Sequence, residues 1–284
     1  MVFFMNRKII QNALPFAVIW LAALIFAGFY DLPISLAVAD PMSPFGRLLE
    51  IVGEVPAILF TSFNFSLIAV CLLKRGAQKE RIIAALSVVG MVGTAYYTSN
   101  ATLGYIRDWR ADLGLGFMSG GMKLFVALLL AALFSALFLF IAFHIERERL
   151  ERFLTAAAHC VLAAVLTLVI IWAFKLVWGR VRFRQLEDIS MFTPFWHPNG
   201  YNGYFSFPSG HTANATVILT LLYYSDHMKQ KGRFLRPTLA VWIVIVALSR
   251  VLVGAHYLSD VLCGAAVTAI IVYLCRPSAA KKEA

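Results

Sequence analysis

The sequence predicts an all-α protein, a polytopic membrane helix bundle of about eight transmembrane helices, and three observations carry that prediction. Of 284 residues, 61% are hydrophobic and only 14% charged, where a soluble domain carries about a quarter charged residues. The apolar residues come in blocks long enough to cross a hydrocarbon layer, separated by short polar clusters. The basic residues that give the formal charge of +10 are sorted between those blocks. They read as membrane topology, so no nucleic-acid face is expected.

In chain order, the first span is expected over 12–30, behind an N-terminus (MVFFMNRKIIQNA) without a small-residue cleavage pattern, an uncleaved anchor. A loop over 31–55 opens with the turn formers of DLPISLAVADPMSPFG and holds a short interfacial helix over 46–53 (GRLLEIVG). Spans follow at 56–73, 82–98, 122–143, 155–177, 211–225, 238–253 and 257–275. The segments 82–98 and 211–225 are the weak ones, short and carrying Thr, Asn or Tyr. Charge decides for them. If all eight cross, five basic clusters share one side: Arg7 and Lys8; Lys74, Arg75, Lys79 and Arg81; Arg147, Arg149 and Arg152; Lys229, Lys231, Arg233 and Arg236; Arg276, Lys281 and Lys282. The loops 31–55, 99–121 and 178–210 and a tight turn at 254–256 then lie on the other side. The expected organisation is 1–150, N-terminal helices with extracytoplasmic loops; 151–276, a catalytic transmembrane core; and 277–284, a cytoplasmic tail. Cys71, Cys160, Cys263 and Cys275 all sit in or at the ends of apolar runs, so no disulfide framework is expected.

Charged groups are costly inside a bundle unless they converge on a function. Here they gather on the extracytoplasmic side of the expected topology. Lys175 ends the fifth span and Arg180, Arg182 and Arg184 follow it; Ser209, Gly210 and His211 open the sixth; Arg250 ends the seventh; His256 and Asp260 start the eighth. So many cations call for an anion, and phosphate suits an arginine fork and a lysine point charge. FPSGH (207–211) supplies a sharp entry, an N-cap serine, a glycine that leaves a ligand room and helix amides aimed outward. His256 and Asp260, four residues apart, share a helical face, so the carboxylate fixes the imidazole tautomer. Two differently supported histidines imply two roles, one attacking phosphorus and one moving the proton of the leaving oxygen. The residues alone do not say which does which. The chemistry needs no metal and no cofactor, and clustered arginines disfavour a zinc site.

These clusters resemble the signature of the type 2 phosphatidic acid phosphatase superfamily: lysine, six residues, Arg-Pro; Pro-Ser-Gly-His; and Ser-Arg, five residues, His, three residues, Asp. The matching stretches are KLVWGRVRF from Lys175, Pro208–His211, and SRVLVGAHYLSD from Ser249. The resemblance implies a phosphatase-superfamily core in the C-terminal half. It implies His256 as nucleophile, Asp260 as its orienter and His211 as general acid, with Lys175, Arg182, Ser209, Gly210 and Arg250 holding phosphate. Arg180, Arg184 and Tyr204 complete the candidate substrate contacts. Phe183 stands where the family has proline, which bears on the path of the loop rather than on the chemistry.

The substrate expected from a headgroup-level site framed by aromatic residues is a lipid phosphate or diphosphate in the outer leaflet of a bacterial cytoplasmic membrane, with both termini cytoplasmic. The resemblance extends to enzymes acting on undecaprenyl diphosphate, phosphatidylglycerol phosphate, phosphatidic acid and lipid A. Competing readings are a phosphotransferase passing the group to a lipid or sugar acceptor, a phosphatase for soluble sugar phosphates, and a non-catalytic lipid-binding or transport protein.

Overall fold

The computed structural model describes residues 7–227 and 232–277, without the side chains of residues 7–14, 16, 226, 227, 232 and 233. Lys229, Lys231, Lys281 and Lys282, and the expected tail from residue 278 on, lie outside the described residues. Within them every regular element is helical: α1 (Arg7–Val38), α2 (Pro44–Val52), α3 (Val55–Arg75), α4 (Gln78–Asp112), α5 (Gly120–His144), α6 (Arg147–Trp178), α7 (Gly210–Val217), α8 (Gly232–Leu252) and α9 (Leu258–Leu274). A 3-10 stretch, Ile218–His227, continues α7.

Among the described residues six helical segments are long and apolar enough to cross a membrane: Ala17–Val38, Pro44–Arg75, Gln78–Asp112, Gly120–His144, Arg147–Trp178 and Phe234–Leu252. The expected span at 257–275 is the shorter apolar helix Leu258–Leu274. The expected span at 211–225 is not one helix but α7 with its 3-10 extension. At 1.5 and 2.0 Å per residue these rise about 32 Å together, close to the hydrocarbon thickness of ~30 Å. α3 lies at the centre, packed by α4, α5, α6 and α7, and 61% of its apolar window is buried. Small residues let the neighbours close on it: Ala142 and Ala157 join Leu67, Ile68 and Cys71 in one buried cluster. All four cysteines are free and buried.

Two expected loops are partly helical. α1 runs on through Pro33 to Val38, because Asp31 is buried and its carboxylate accepts the Ser259 amide at 2.9 Å and is bonded by Arg180. α4 runs on to Asp112, where the expected 99–121 loop would have begun thirteen residues earlier, because Asp112 pairs with Arg47 of α2. α2 itself does not lie free in an interface. Ser43 caps it, Pro44 starts it, and Arg47, Leu49, Glu50 and Ile51 are buried as it packs on α8 and α4.

The described members of the basic clusters meet at the end of the bundle where α3 finishes and α6 begins. Lys74 Nζ donates to the carbonyls of Phe143 (3.0 Å) and Ile145 (2.9 Å), Arg75 pairs with Glu151, and Arg236 and Arg276 line one cavity. The motif residues gather at the other end of the same helices.

Candidate active site

The site is built where α7 starts. Ser209 is the N-cap of α7, its Oγ accepting from the Thr212 amide at 3.4 Å and the Thr212 hydroxyl at 3.0 Å. Its own amide donates to the Asp260 carbonyl at 3.0 Å, which ties α7 to α9. Gly264 allows that approach: a Cβ there would fall 2.6 Å from the Ser209 carbonyl oxygen. A Cβ on Gly210 would meet only Lys175 Cε, at 3.6 Å, so the first turn of α7 stays open toward the lysine. His211 follows, with its Nε2 3.1 Å from the carbonyl oxygen of Glu50 and its ring 5.0 Å from that of Tyr105. A carbonyl only accepts, so Nε2 carries a hydrogen.

The second half comes from the turn between α8 and α9. Arg250 sits in the last turn of α8, and its carbonyl accepts the amides of Ala255 (3.1 Å) and His256 (3.2 Å). Gly254 takes φ +65, a left-handed value natural to glycine, and its carbonyl accepts the Arg184 amide at 2.8 Å. That bond brings the loop after α6 onto the same turn. Phe183 packs its ring edge-on to Tyr257 at 6.4 Å, so aromatic packing directs the loop at the position where the family has proline. His256 is not on the helix it was expected to open. α9 begins at Leu258 because Asp260, in its first turn, accepts the Tyr257 amide at 3.0 Å. His256 instead approaches from the turn, its Nδ1 3.6 Å from Asp260 Oδ2, a pairing distance longer than a hydrogen bond.

Asp260 is held from behind. Its Oδ1 accepts Arg180 Nη1 at 2.6 Å, and its Oδ2 accepts Ser206 Oγ at 2.5 Å. Arg180 also bonds Ser259 Oγ (2.9 Å), the Thr193 carbonyl (2.8 Å) and Asp31 (2.9 Å), with its guanidinium 4.1 Å from the centre of the Tyr257 ring. Burial works against its charge, but Asp260 and Asp31 outweigh that and lift its pKa above the usual arginine value. Arg180 is fully buried, with its guanidinium held on the Asp31–Asp260 network.

A cavity of ≈ 190 Å³ collects the rest: Lys175, Arg182, Arg184, Gly210, His211, Arg250 and His256, together with Glu50, Glu54, Tyr97, Tyr105 and Asn214. Tyr204 does not line it, and Ser209 and Asp260 stand behind its wall. Lys175 Nζ donates to the Phe205 carbonyl at 2.6 Å. Among the described residues Arg250 Nε and Nη1 and Arg182 Nε are buried without any hydrogen-bond partner, donors that call for an acceptor. Burial, Arg184 and Arg250 all work against the charge on Arg182. Burial first, and then Lys175 and Arg182 nearby, push His256 down to about 3 despite Asp260. Among the described residues no group of three or more His, Cys, Asp or Glu could hold a metal ion.

The N-terminal half supplies what the motifs omit. Glu50 Oε1 bridges Arg250 Nη2 (2.8 Å) and Arg184 Nη2 (3.1 Å), its Oε2 meets Arg47 Nη1 at 3.0 Å, and its carbonyl meets His211. Glu54 accepts from Asn214 at 2.8 Å. Three acids inside or beside apolar runs, Asp31, Glu50 and Glu54, were the available signal, since an intramembrane carboxylate implies a buried cationic partner.

No curated protein and no solved structure matches this chain. Residues 156–283, the region that contains every motif residue from Lys175 to Asp260, match the family model of the PAP2 superfamily.

Proposed function

We propose that the protein is an integral membrane phosphatase that hydrolyses a phosphomonoester or diphosphate on a membrane lipid through a phosphohistidine on His256. The observation that carries the reading is the convergence, in one cavity, of two histidines with Lys175, Arg182, Arg184 and Arg250. With Nδ1 of His256 facing Asp260, Nε2 is the attacking atom. It bonds to phosphorus while the phosphorus–oxygen bond to the lipid breaks, and His211, entering the step as an imidazolium with a proton on each ring nitrogen, gives the leaving oxygen the one on Nδ1. His211 then takes a proton from water as that water attacks the phosphohistidine, releasing phosphate and freeing His256. Lys175, Arg182, Arg250 and the first amides of α7 stabilise the charge on the phosphoryl oxygens, and Ser209 fixes those amides as the N-cap. Arg184 contributes from the rim of the cavity.

The basic clusters at the opposite end of the bundle support an extracytoplasmic site and cytoplasmic termini in a bacterial cytoplasmic membrane. The test is phosphate release from a panel of lipid phosphates and diphosphates in detergent, beside His256→Ala and His211→Ala. Loss of release by several orders of magnitude in His256→Ala is expected. Equal release by wild type and His256→Ala, or release from sugar phosphates alone, overturns the reading.

A further inference from the structure

A second cavity, of ≈ 340 Å³, runs alongside the first and shares Tyr97, Leu168 and Asn214 with it. Its other walls are apolar or small and recur at helical spacing: Ala57, Ile58, Thr61 and Phe65 on α3, Gly90, Gly93 and Thr94 on α4, and Ala164 and Val165 on α6. From Ala57 to Phe65 the helix rises about 12 Å, roughly two fifths of the ~30 Å hydrocarbon layer. The polar side chains in it make no demand on a ligand. Thr61 Oγ1 donates to the Ala57 carbonyl at 3.0 Å and Thr94 Oγ1 to that of Gly90 at 2.8 Å, while Asn214 and Tyr97 stand at the junction with the charged cavity.

We infer that this groove seats one hydrocarbon chain of the substrate, leading down from the phosphate held between His256 and His211. The inference rests on the phosphatase reading and deepens it: the substrate class is a phosphate or diphosphate carried directly at the head of a long apolar chain. Continuity decides the occupant, because three residues line both chambers and a molecule filling both must be anionic at one end and apolar at the other. Gly93 gives independent support. Glycine weakens a helix relative to alanine, and apart from its chain neighbours and the helix's own backbone no heavy atom of the described residues lies within 4 Å of where its Cβ would be. Packing does not require a glycine there, but an unobstructed groove does. Gly90, one turn before, does have a packing reason, since its Cβ would fall 2.6 Å from the Phe65 ring. The groove walls on α3 and α4 precede the PAP2-matched region, which starts at residue 156, so on this inference the N-terminal helices select the chain that the C-terminal half dephosphorylates.

The test uses dodecyl phosphate with a diazirine on the chain, its alcohol without phosphate, and butyl phosphate, on the full-length protein and Gly93→Phe. The expected result is crosslinking of the phosphate probe, several-fold above the alcohol, to peptides spanning 57–65 and 90–97. In Gly93→Phe the crosslink is lost and kcat/KM for dodecyl phosphate falls at least tenfold, while butyl phosphate turnover stays within twofold. Equal labelling by phosphate and alcohol, unchanged labelling in Gly93→Phe, or equal losses on both substrates overturns the groove. Crosslinking without turnover of either phosphate by wild type leaves the groove standing and overturns the phosphatase reading instead.

Discussion

Replacing Glu50 with alanine removes the carboxylate that meets Arg47, Arg184 and Arg250 at once. The three arginines do not suffer equally. Arg47 keeps the Pro41 carbonyl at 2.8 Å and Asp112, and the Arg184 side chain is 22% exposed and can reach solvent. The Arg250 side chain is 2% exposed, and with Nε and Nη1 already unpartnered it loses its only hydrogen-bond acceptor among the described residues. Breaking a buried pair by removing one partner costs about 3–5 kcal/mol. The lower figure applies here because two of the three arginines are compensated. If that ~3 kcal/mol is lost from the alignment of Arg250 on the phosphoryl oxygens, kcat/KM falls roughly a hundredfold. Glu50→Gln keeps a carbonyl oxygen for Arg250 and should lose about tenfold, one such step. The assay is steady-state phosphate release with orthovanadate inhibition, beside thermal unfolding in the same detergent to establish that the variants are folded. The result that refutes the reasoning is a folded Glu50→Ala enzyme that binds orthovanadate more tightly than wild type. Glu50 would then be a competitor for the phosphate seat instead of a support for Arg250.

Arg180→Ala leaves Asp31 and Asp260 facing each other in a fully buried setting. It should cost about 3–5 kcal/mol of stability, seen as a large fall in unfolding temperature, whereas Arg184→Ala should raise KM with little change in that temperature. His256 titrates lower in the folded protein, at about 3, than its ordinary 6.5. Between those values the unfolded chain binds more protons, so its contribution to stability is full above pH 6.5 and is lost as pH falls toward 3. The decline of unfolding temperature across that window should be shallower in His256→Asn than in wild type. A parallel decline in the two proteins would show that this ring is not the buried neutral group described.

The helical bundle was legible because apolar block length and charge clustering are coarse signals that survive local irregularity. The motif residues stood out because Lys175, Arg182, His211, Arg250 and His256 are costly in a membrane and match the spacing of the signature the chain resembles. Element ends were not. α4 continues to Asp112 and α1 to Val38 through partners, Arg47 and Ser259, that lie 65 and 228 residues away from Asp112 and Asp31, and local pattern does not encode such pairing. The position of His256 was missed for a related reason. Four-residue spacing implied one helical face, but the Asp260 bond to the Tyr257 amide starts the helix two residues too late for the histidine to join it. Arg180 was legible as a cation close to the motif residues, but its partner Asp31, 149 residues away in the first helix, was not. Glu50 and Glu54 were legible in principle as acids in the run LLEIVGEV.

The central claim is that His256 takes the phosphoryl group. Rapid quenching of the purified enzyme with a lipid phosphate labelled on phosphorus, followed by mapping of the protein-bound label, tests it most directly. An acid-labile, alkali-stable label on His256 is expected, absent from His256→Ala and decaying to free phosphate in wild type. Label on another residue, label that persists in His256→Ala, or full turnover with no protein-bound label at any quench time would contradict it.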